Sequence, residues 1–225
     1  MMLQRVGRII ARLHLVWLAT GLTLLLCSCC CVKPASVASP APAPDELVNV
    51  EKLIPGIVLD IRYATTNNFT GRQLYPVAKF YLRRQAAEQL QAVQEELRRQ
   101  GLALKIFDGY RPLSVQKKMW AIYPNPGFVA DPAKGSKHNR GAAVDLTLIR
   151  LDGTELTMPT PYDDFTPKAG RHYMDLPAEA IKNRALLERV MQAHNFRGLD
   201  TEWWHFDFRG ARKYDILDID YSRLD

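Results

Sequence analysis

The chain of 225 residues has four cysteines, and all four fall between positions 27 and 31. Everything beyond Cys31 is therefore without disulfides, thiolate metal ligands or a cysteine nucleophile. Any metal site there has to be built from His, Asp and Glu. No apolar run reaches the roughly 20 residues that a membrane-spanning helix needs; the stretch from Leu13 to Leu26 is too short. No basic run is interleaved with aromatics, so the net charge of +6 offers no base-stacking surface and no nucleic-acid partner is expected. That charge sits largely in Arg5, Arg8 and Arg12 and at a helix end holding Arg83, Arg84, Arg98 and Arg99, which reads as a solvated face. There is no internal repeat and no regular strand–helix alternation, which argues against a doubly wound parallel sheet. What is present is ordinary globular composition, 47% hydrophobic and 24% charged, with enough chain to bury a core unaided by disulfides.

Residues 1–31 read as an export signal. Three arginines precede the apolar run, and Leu26-Cys27-Ser28-Cys29 resembles a bacterial lipobox. The resemblance implies cleavage before Cys29 and a diacylglycerol on its sulfur, which anchors a chain without a transmembrane helix. An uncleaved signal anchor or a different cut remains open. Residues 32–45 are rich in Pro and Ala and form a semi-rigid tether. The expected location is outside the cytoplasm, lipid-anchored at a membrane surface. Cys30 stands where an Asp often retains such proteins at the inner membrane, which favours an outer membrane where the cell has one. No protein partner is expected.

Residues 46–225 form the folded domain, expected to be α+β with a mainly antiparallel central sheet flanked by helices. Val48 to Ile61 reads as strand, Pro55-Gly56 turn and strand. Leu82, Ala86, Leu90, Val93 and Leu97 recur at helical spacing, predicting a helix over 82–100 that Gly101 ends. Strands are expected at 102–107, 142–149 and 203–208. A short helix reaches Trp120 with Ser114 as its N-cap, and another helix covers 183–195. Residues 63–71, 123–140 and 159–176 read as loops.

Three ionisable clusters stand out: Asp108 to Pro112, Ser136 to Asp145, and Glu202-Trp203-Trp204-His205. A catalytic zinc takes three protein ligands and keeps one position open. His138 and Asp145 bracket a turn into a strand, and His205 lies on an apolar strand. Together they make an open three-ligand set. Glu202 is three residues from His205, and strand residues three apart face opposite ways, so a bend is needed to bring both to one site. The plain alternatives are that His205 is a satisfied core histidine, Asp145 a turn residue, Arg111 the partner of Asp108, Asp163 a turn residue, and Ser136 the start of a turn. His172 and His194 read as ordinary surface or loop residues.

The two-part pattern Ser136-x-His138-x-x-Gly141-x-Ala143-x-Asp145 and Glu202-x-Trp204-His205 resembles the signature of the zinc D-Ala-D-Ala peptidases. Asp60-Ile61-Arg62-Tyr63-Ala64-Thr65, Asn68-Phe69-Thr70-Gly71, Asp108-Gly109-Tyr110-Arg111-Pro112 and Tyr162-Asp163-x-Phe165 are similar to the VanX-type dipeptidase branch, which more often has Phe at the position of Tyr162. The resemblance implies one zinc per chain on His138, Asp145 and His205, with Glu202 as general base and Arg111 at the oxyanion. It further implies Asp163 pairing with the ammonium of a small dipeptide, Tyr63 and Ser136 holding its polar ends, and Trp203 walling a small pocket. Met158-Pro159-Thr160-Pro161 departs from the pattern, since relatives commonly have Gly after Met. The implied reaction is hydrolysis of D-alanyl-D-alanine in wall-peptide turnover or scavenging. Two alternatives stand beside it: a zinc D,D-carboxypeptidase acting on peptidoglycan stem peptides, and a lipoprotein that binds wall fragments through an inactive peptidase fold.

Overall fold

The computed structural model describes residue 43 and residues 45–224. The expected signal, the expected lipidation site Cys29 and nearly all of the tether lie outside the described residues. No helix among the described residues is long and apolar enough to cross a membrane.

The frame is a five-stranded sheet of order β2-β4-β5-β7-β6, built from β2 (Val58–Leu59), β4 (Leu102–Asp108), β5 (Ala143–Arg150), β6 (Phe196–Leu199) and β7 (Glu202–Phe208). Only the β2–β4 pair is parallel; the other three pairings are antiparallel. A separate antiparallel pair joins β1 (Leu47–Asn49) to β3 (Tyr81–Arg83). The helices are α1 (Val50–Leu53), α2 (Arg84–Arg98), α3 (Leu113–Ile122) and α4 (Ala178–Ala193). The α+β expectation holds, and the predicted strands in β4, β5 and β7 are there.

α2 forms because Ala86, Leu90, Val93 and Leu97 make one fully buried stripe, the i, i+3/i+4, i+7 pattern of an amphipathic helix. It packs on β4 and beside α4, which in turn covers β5 and β6. Gly101 follows at φ +75°, as a helix-ending glycine does. In β5, Val144, Leu146 and Leu148 are wholly buried in the apolar core, and the strand's period of two turns Asp145 and Thr147 to the other face. That opposite face carries the polar site.

Several expectations are corrected. The predicted strand from Val48 is cut short because the Asn49 side chain accepts from the Glu51 N–H and caps a helical turn, α1; only two residues of the second strand remain. Leu82 and Arg83 belong to β3, not to the following helix. Arg83 is not a solvated surface charge. It is buried, with Nε donating to the Arg140 carbonyl (2.9 Å), Nη2 to that of Asp215 (3.3 Å) and Nη1 to that of Asp45. Ser114 does not cap α3; its N–H is taken by Asp218 Oδ1 from a distant part of the chain. α4 begins five residues earlier than predicted, after Pro177. β6 had no strand signal, since Arg197-Gly198 interrupts a four-residue segment.

Candidate metal centre

The first donor segment is held by the backbone. His138–Arg140 is a single 3₁₀ turn, closed by Gly141 at φ +66°. A side chain on Gly141 would be strained at that φ and would place Cβ 2.5 Å from Leu47 Cδ2. This is the physical reason for glycine in that part of the pattern. The Gly141 carbonyl accepts from the Arg83 N–H at 2.7 Å. Asn139, fully buried, donates from Nδ2 to the Arg111 carbonyl and accepts from Ser136 N–H and Oγ–H. The Arg111 N–H in turn donates to the His138 carbonyl. The Asp108–Arg111 and Ser136–Gly141 segments are thus stitched together before any ligand is considered.

His138, Asp145 and His205 converge. Asp145 and His205 are directly paired across β5 and β7, and the ligand atoms of all three lie within 4.8 Å of one another. His205 Nδ1 is 2.9 Å from Asp145 Oδ1 and 3.1 Å from His138 Nε2. The remaining ring nitrogens are assigned by their partners. His138 Nδ1 faces the Gly109 carbonyl at 2.7 Å, and His205 Nε2 faces Asp207 Oδ1 at 2.9 Å. N–H groups at those two positions leave His138 Nε2 and His205 Nδ1 as lone-pair donors, the outer-shell arrangement that orients ligating histidines. Asp145 Oδ2 accepts from Tyr162 Oη at 2.9 Å, leaving Oδ1 to face the histidines. An N₂O donor set, buried and orientated from behind, fits a divalent transition-metal ion.

Glu202 shares this site despite the spacing that strand geometry disfavours. The β6–β7 register shifts at Gly198/Leu199, with Gly198 opposite Phe206 and Leu199 opposite Glu202. The distortion turns Glu202 and His205 onto one cavity of about 250 Å³, small beside the ~300–1,000 Å³ pockets of drug-sized ligands. The cavity is also lined by Tyr63, Arg111, Ser136, His138, Asp145 and Asp163. Of the nine site residues expected within the folded domain, only Trp203 is not on the wall. Regular alternation would set Trp203 beside His205; with the strand distorted, Trp204 takes that place together with Glu202, and Trp203 instead donates from Nε1 to Thr160 Oγ1 at 2.9 Å, tying β7 to the proline-flanked loop before Asp163.

Arg111 does pair with Asp108, through Nε (3.1 Å) and Nη2 (2.6 Å), and Nη1 donates to Gln116. Burial by itself would discharge the guanidinium, but Asp108 outweighs it and holds the proton firmly. The pair leaves Arg111 on the cavity wall with its plane fixed. Asp163 has φ +62° and accepts from Tyr63 Oη at 3.1 and 3.2 Å. His172 is exposed, while His194 has a partner that the sequence did not suggest, Glu96 at 2.9 Å. Asp108, Asn139 and Tyr162 lay in segments that the sequence pointed to but were given no site role beyond Asp108 as a partner of Arg111, and Asp207 was not singled out at all. Asp207 could have been, because it sits two residues from His205 on the same strand face.

The carboxyls and imidazoles in this cavity carry opposed shifts. Burial pushes Glu202 up to about 8, helped by Asp145 and Asp163 and resisted by His205. Burial pushes Asp163 up to about 7, with Asp145 adding to it. Burial works against a charged His205, but hydrogen bonds to Asp145 and Asp207 win and raise it to about 10. Burial would raise Asp145, yet the two histidines hold it well below the carboxylate range.

These shifts set a pH dependence for the metal-free protein. His205 is raised, so its stabilising contribution is complete below its ordinary value and is lost as pH climbs towards about 10. Glu202 and Asp163 are also raised, so over the interval up to about 8 the unfolded chain has already released protons that the folded one retains. All three effects have one sign. The melting temperature of chelator-treated protein is expected to fall steadily from pH 5 to pH 9. The increment restored by a bound metal should grow over the same range, because the metal replaces the proton on His205. A flat or rising profile in thermal melts would contradict this electrostatic picture.

Tyr162→Phe should remove the hydrogen bond on Asp145 Oδ2 and leave the ring stacked on Phe107. Metal affinity is expected to drop about tenfold, at the lower end for outer-shell losses, in a competition titration with a chromogenic chelator. Unchanged affinity would mean Asp145 is orientated without Tyr162.

A family model described as D-ala-D-ala dipeptidase matches residues 44–222. A D-alanyl-D-alanine dipeptidase of Escherichia coli (strain K12) is 34% identical over 177 residues, covering 79% of this chain and 92% of that protein. One from Enterococcus faecium is 32% identical over 184 residues, covering 71% of this chain and 90% of that protein. Another from Enterococcus faecalis (strain ATCC 700802 / V583) is 30% identical over 181 residues, covering 70% and 88%.

Proposed function

The chain belongs to the D-ala-D-ala dipeptidase family, and from that premise we propose that it hydrolyses the peptide bond of D-alanyl-D-alanine to two D-alanines with one zinc ion held by His138, Asp145 and His205. The observation that carries this reading is the convergence of three orientated donor atoms with Glu202 in one small cavity. The buried N₂O donor set suits zinc, which when bound supplies a Lewis acid that polarises the scissile carbonyl.

The chain's own groups do the rest. Glu202 takes a proton from the attacking water at its carboxylate and passes it to the leaving amine. A carboxyl raised by burial is suited to both halves of that transfer. Arg111, locked by Asp108 and Gln116, presents fixed positive charge to the oxygen that becomes anionic. Asp163, with Tyr63 hydrogen-bonded to it, receives the substrate ammonium, and Ser136 meets a polar end of the dipeptide. Trp204 takes the wall position first assigned to Trp203. The leader reading extends the proposal: export, a lipid on Cys29, and turnover or scavenging of wall-derived dipeptide outside the cytoplasm.

The test is alanine release from free D-Ala-D-Ala and from an N-acylated D-Ala-D-Ala peptide, by the full chain with zinc and with chelator. Zinc-dependent cleavage of the free dipeptide, with at most slow turnover of the acylated peptide, is the expected result. Cleavage of the acylated peptide alone would make the chain a D,D-carboxypeptidase, and zinc-loaded protein inert on both would make it a binding protein.

A further inference from the structure

We propose that Arg171 is a positioning residue for Glu202 and His205, acting through the backbone of β7 and depending on Gly198 for its place. The inference rests on the hydrolase reading of that pair. Arg171 lies in the irregular segment before α4, and nothing in the sequence marks it. Its guanidinium is buried behind β7 and reaches four carbonyls: Leu199 from Nε at 3.2 Å, and Glu202, Trp203 and His205 from Nη2 at 3.0, 3.2 and 3.1 Å. Its own N–H donates to the Asp200 carbonyl at 2.9 Å.

These contacts fall where the β6–β7 ladder breaks. One step along β6, from Gly198 to Leu199, corresponds to four along β7, from Phe206 to Glu202. Carbonyls in such a distorted stretch lose regular ladder partners, and buried carbonyls without partners are costly. A fork of donors is the side chain that can serve several of them at once. The same distortion defeats the strand rule that would send Glu202 and His205 to opposite faces. Arg171 therefore stabilises the backbone irregularity that puts base and ligand in one cavity.

Gly198 leaves the room. A Cβ there would lie 2.2 Å from Arg171 Cζ, so any side chain displaces the guanidinium. Phe206 packs under it, 4.6 Å from Cζ to the ring centroid, and Glu188 Oε2 lies 3.6 Å from Nη1. Arg184 of α4 fixes the segment, donating to the carbonyls of Gly170 (3.2 Å) and Tyr173 (2.8 Å).

The experiment is a double-mutant cycle on Arg171→Met and Gly198→Ala, with Arg171→Lys as the conservative variant. The readouts are kcat and KM for D-Ala-D-Ala on zinc-loaded protein, and the visible d–d spectrum of cobalt-substituted protein. Arg171→Met is expected to lower kcat about 10–100-fold, as misplacement of catalytic groups by an ångström does, with KM changed little and the cobalt bands altered. Arg171→Lys should recover part of kcat. Gly198→Ala should behave like Arg171→Met and add nothing to it in the double variant. An Arg171→Met protein with lowered melting temperature but wild-type kcat and cobalt bands would overturn the proposal, as would full additivity of the two losses. If Arg171→Met does not fold, Arg171→Lys and Gly198→Ala carry the same readouts. If the wild-type protein fails to cleave the dipeptide, the functional reading falls. The cobalt bands across the cycle still decide whether Arg171 and Gly198 set the site.

Discussion

Replacing Glu202 with glutamine should lower kcat on D-Ala-D-Ala by about 10³-fold, within the usual reach of a general base, while one zinc per chain stays bound. Glutamine keeps the shape of the side chain and cannot accept the water's proton. Nor should it loosen the metal, since the three donors come from other residues and their orientation is set by Gly109, Tyr162 and Asp207. Removing a carboxyl whose charge is disfavoured by burial, Asp145 and Asp163 should also leave the metal-free fold no weaker above neutral pH. Kinetics together with metal analysis decide the point. A variant with zinc bound and kcat within tenfold of the parent would remove Glu202 from the proton path.

Asp163→Asn is the second large effect, and its signature is a change of preference rather than a uniform loss. Asp163 is raised to about 7 by burial and by Asp145, so an arriving ammonium restores a charge that the empty cavity suppresses. Asparagine preserves an acceptor for Tyr63 Oη but offers no counter-charge. Losing one side of a desolvated charge pair costs about 2–5 kcal/mol. The expected drop in kcat/KM on the free dipeptide is therefore roughly 30–4,000-fold, at 1.4 kcal/mol per decade. An N-acylated substrate has no ammonium, so its slow turnover should barely change. Equal losses on both substrates would show that Asp163 supports the cavity wall and does not recognise the amine.

The sequence made the central elements legible where one period dominated. α2 has a single apolar stripe, and β4, β5 and β7 are long buried strands. The three candidate ligands and Glu202 were legible because their spacing resembles a two-part family pattern. Elements shaped by tertiary contact were not. Arg83 looked like a helix charge, yet three distant carbonyls take it into the interior. β6 is four residues long and exists because β7 pairs with it. Regular alternation with His205 pointed to Trp203, and the break in β7 that brings Trp204 to the cavity instead leaves no mark in the sequence. Arg171 was invisible because its role is to serve carbonyls, and carbonyls leave no trace in side-chain patterning.

The order of the donors along the chain has a consequence for how the protein matures. His138 and Asp145 sit close together in sequence, but His205 follows Asp145 by 60 residues and closes a loop of 67 from His138. A chain emerging N-terminus first presents two donors long before the third, and two donors make a weak site. Closing the intervening loop needs α4 and the β6–β7 hairpin already in place. On the proposed zinc reading, metal capture is then expected to be a final fastening of a nearly finished fold rather than a seed for it, with the ion needed where the C-terminal third of the chain folds.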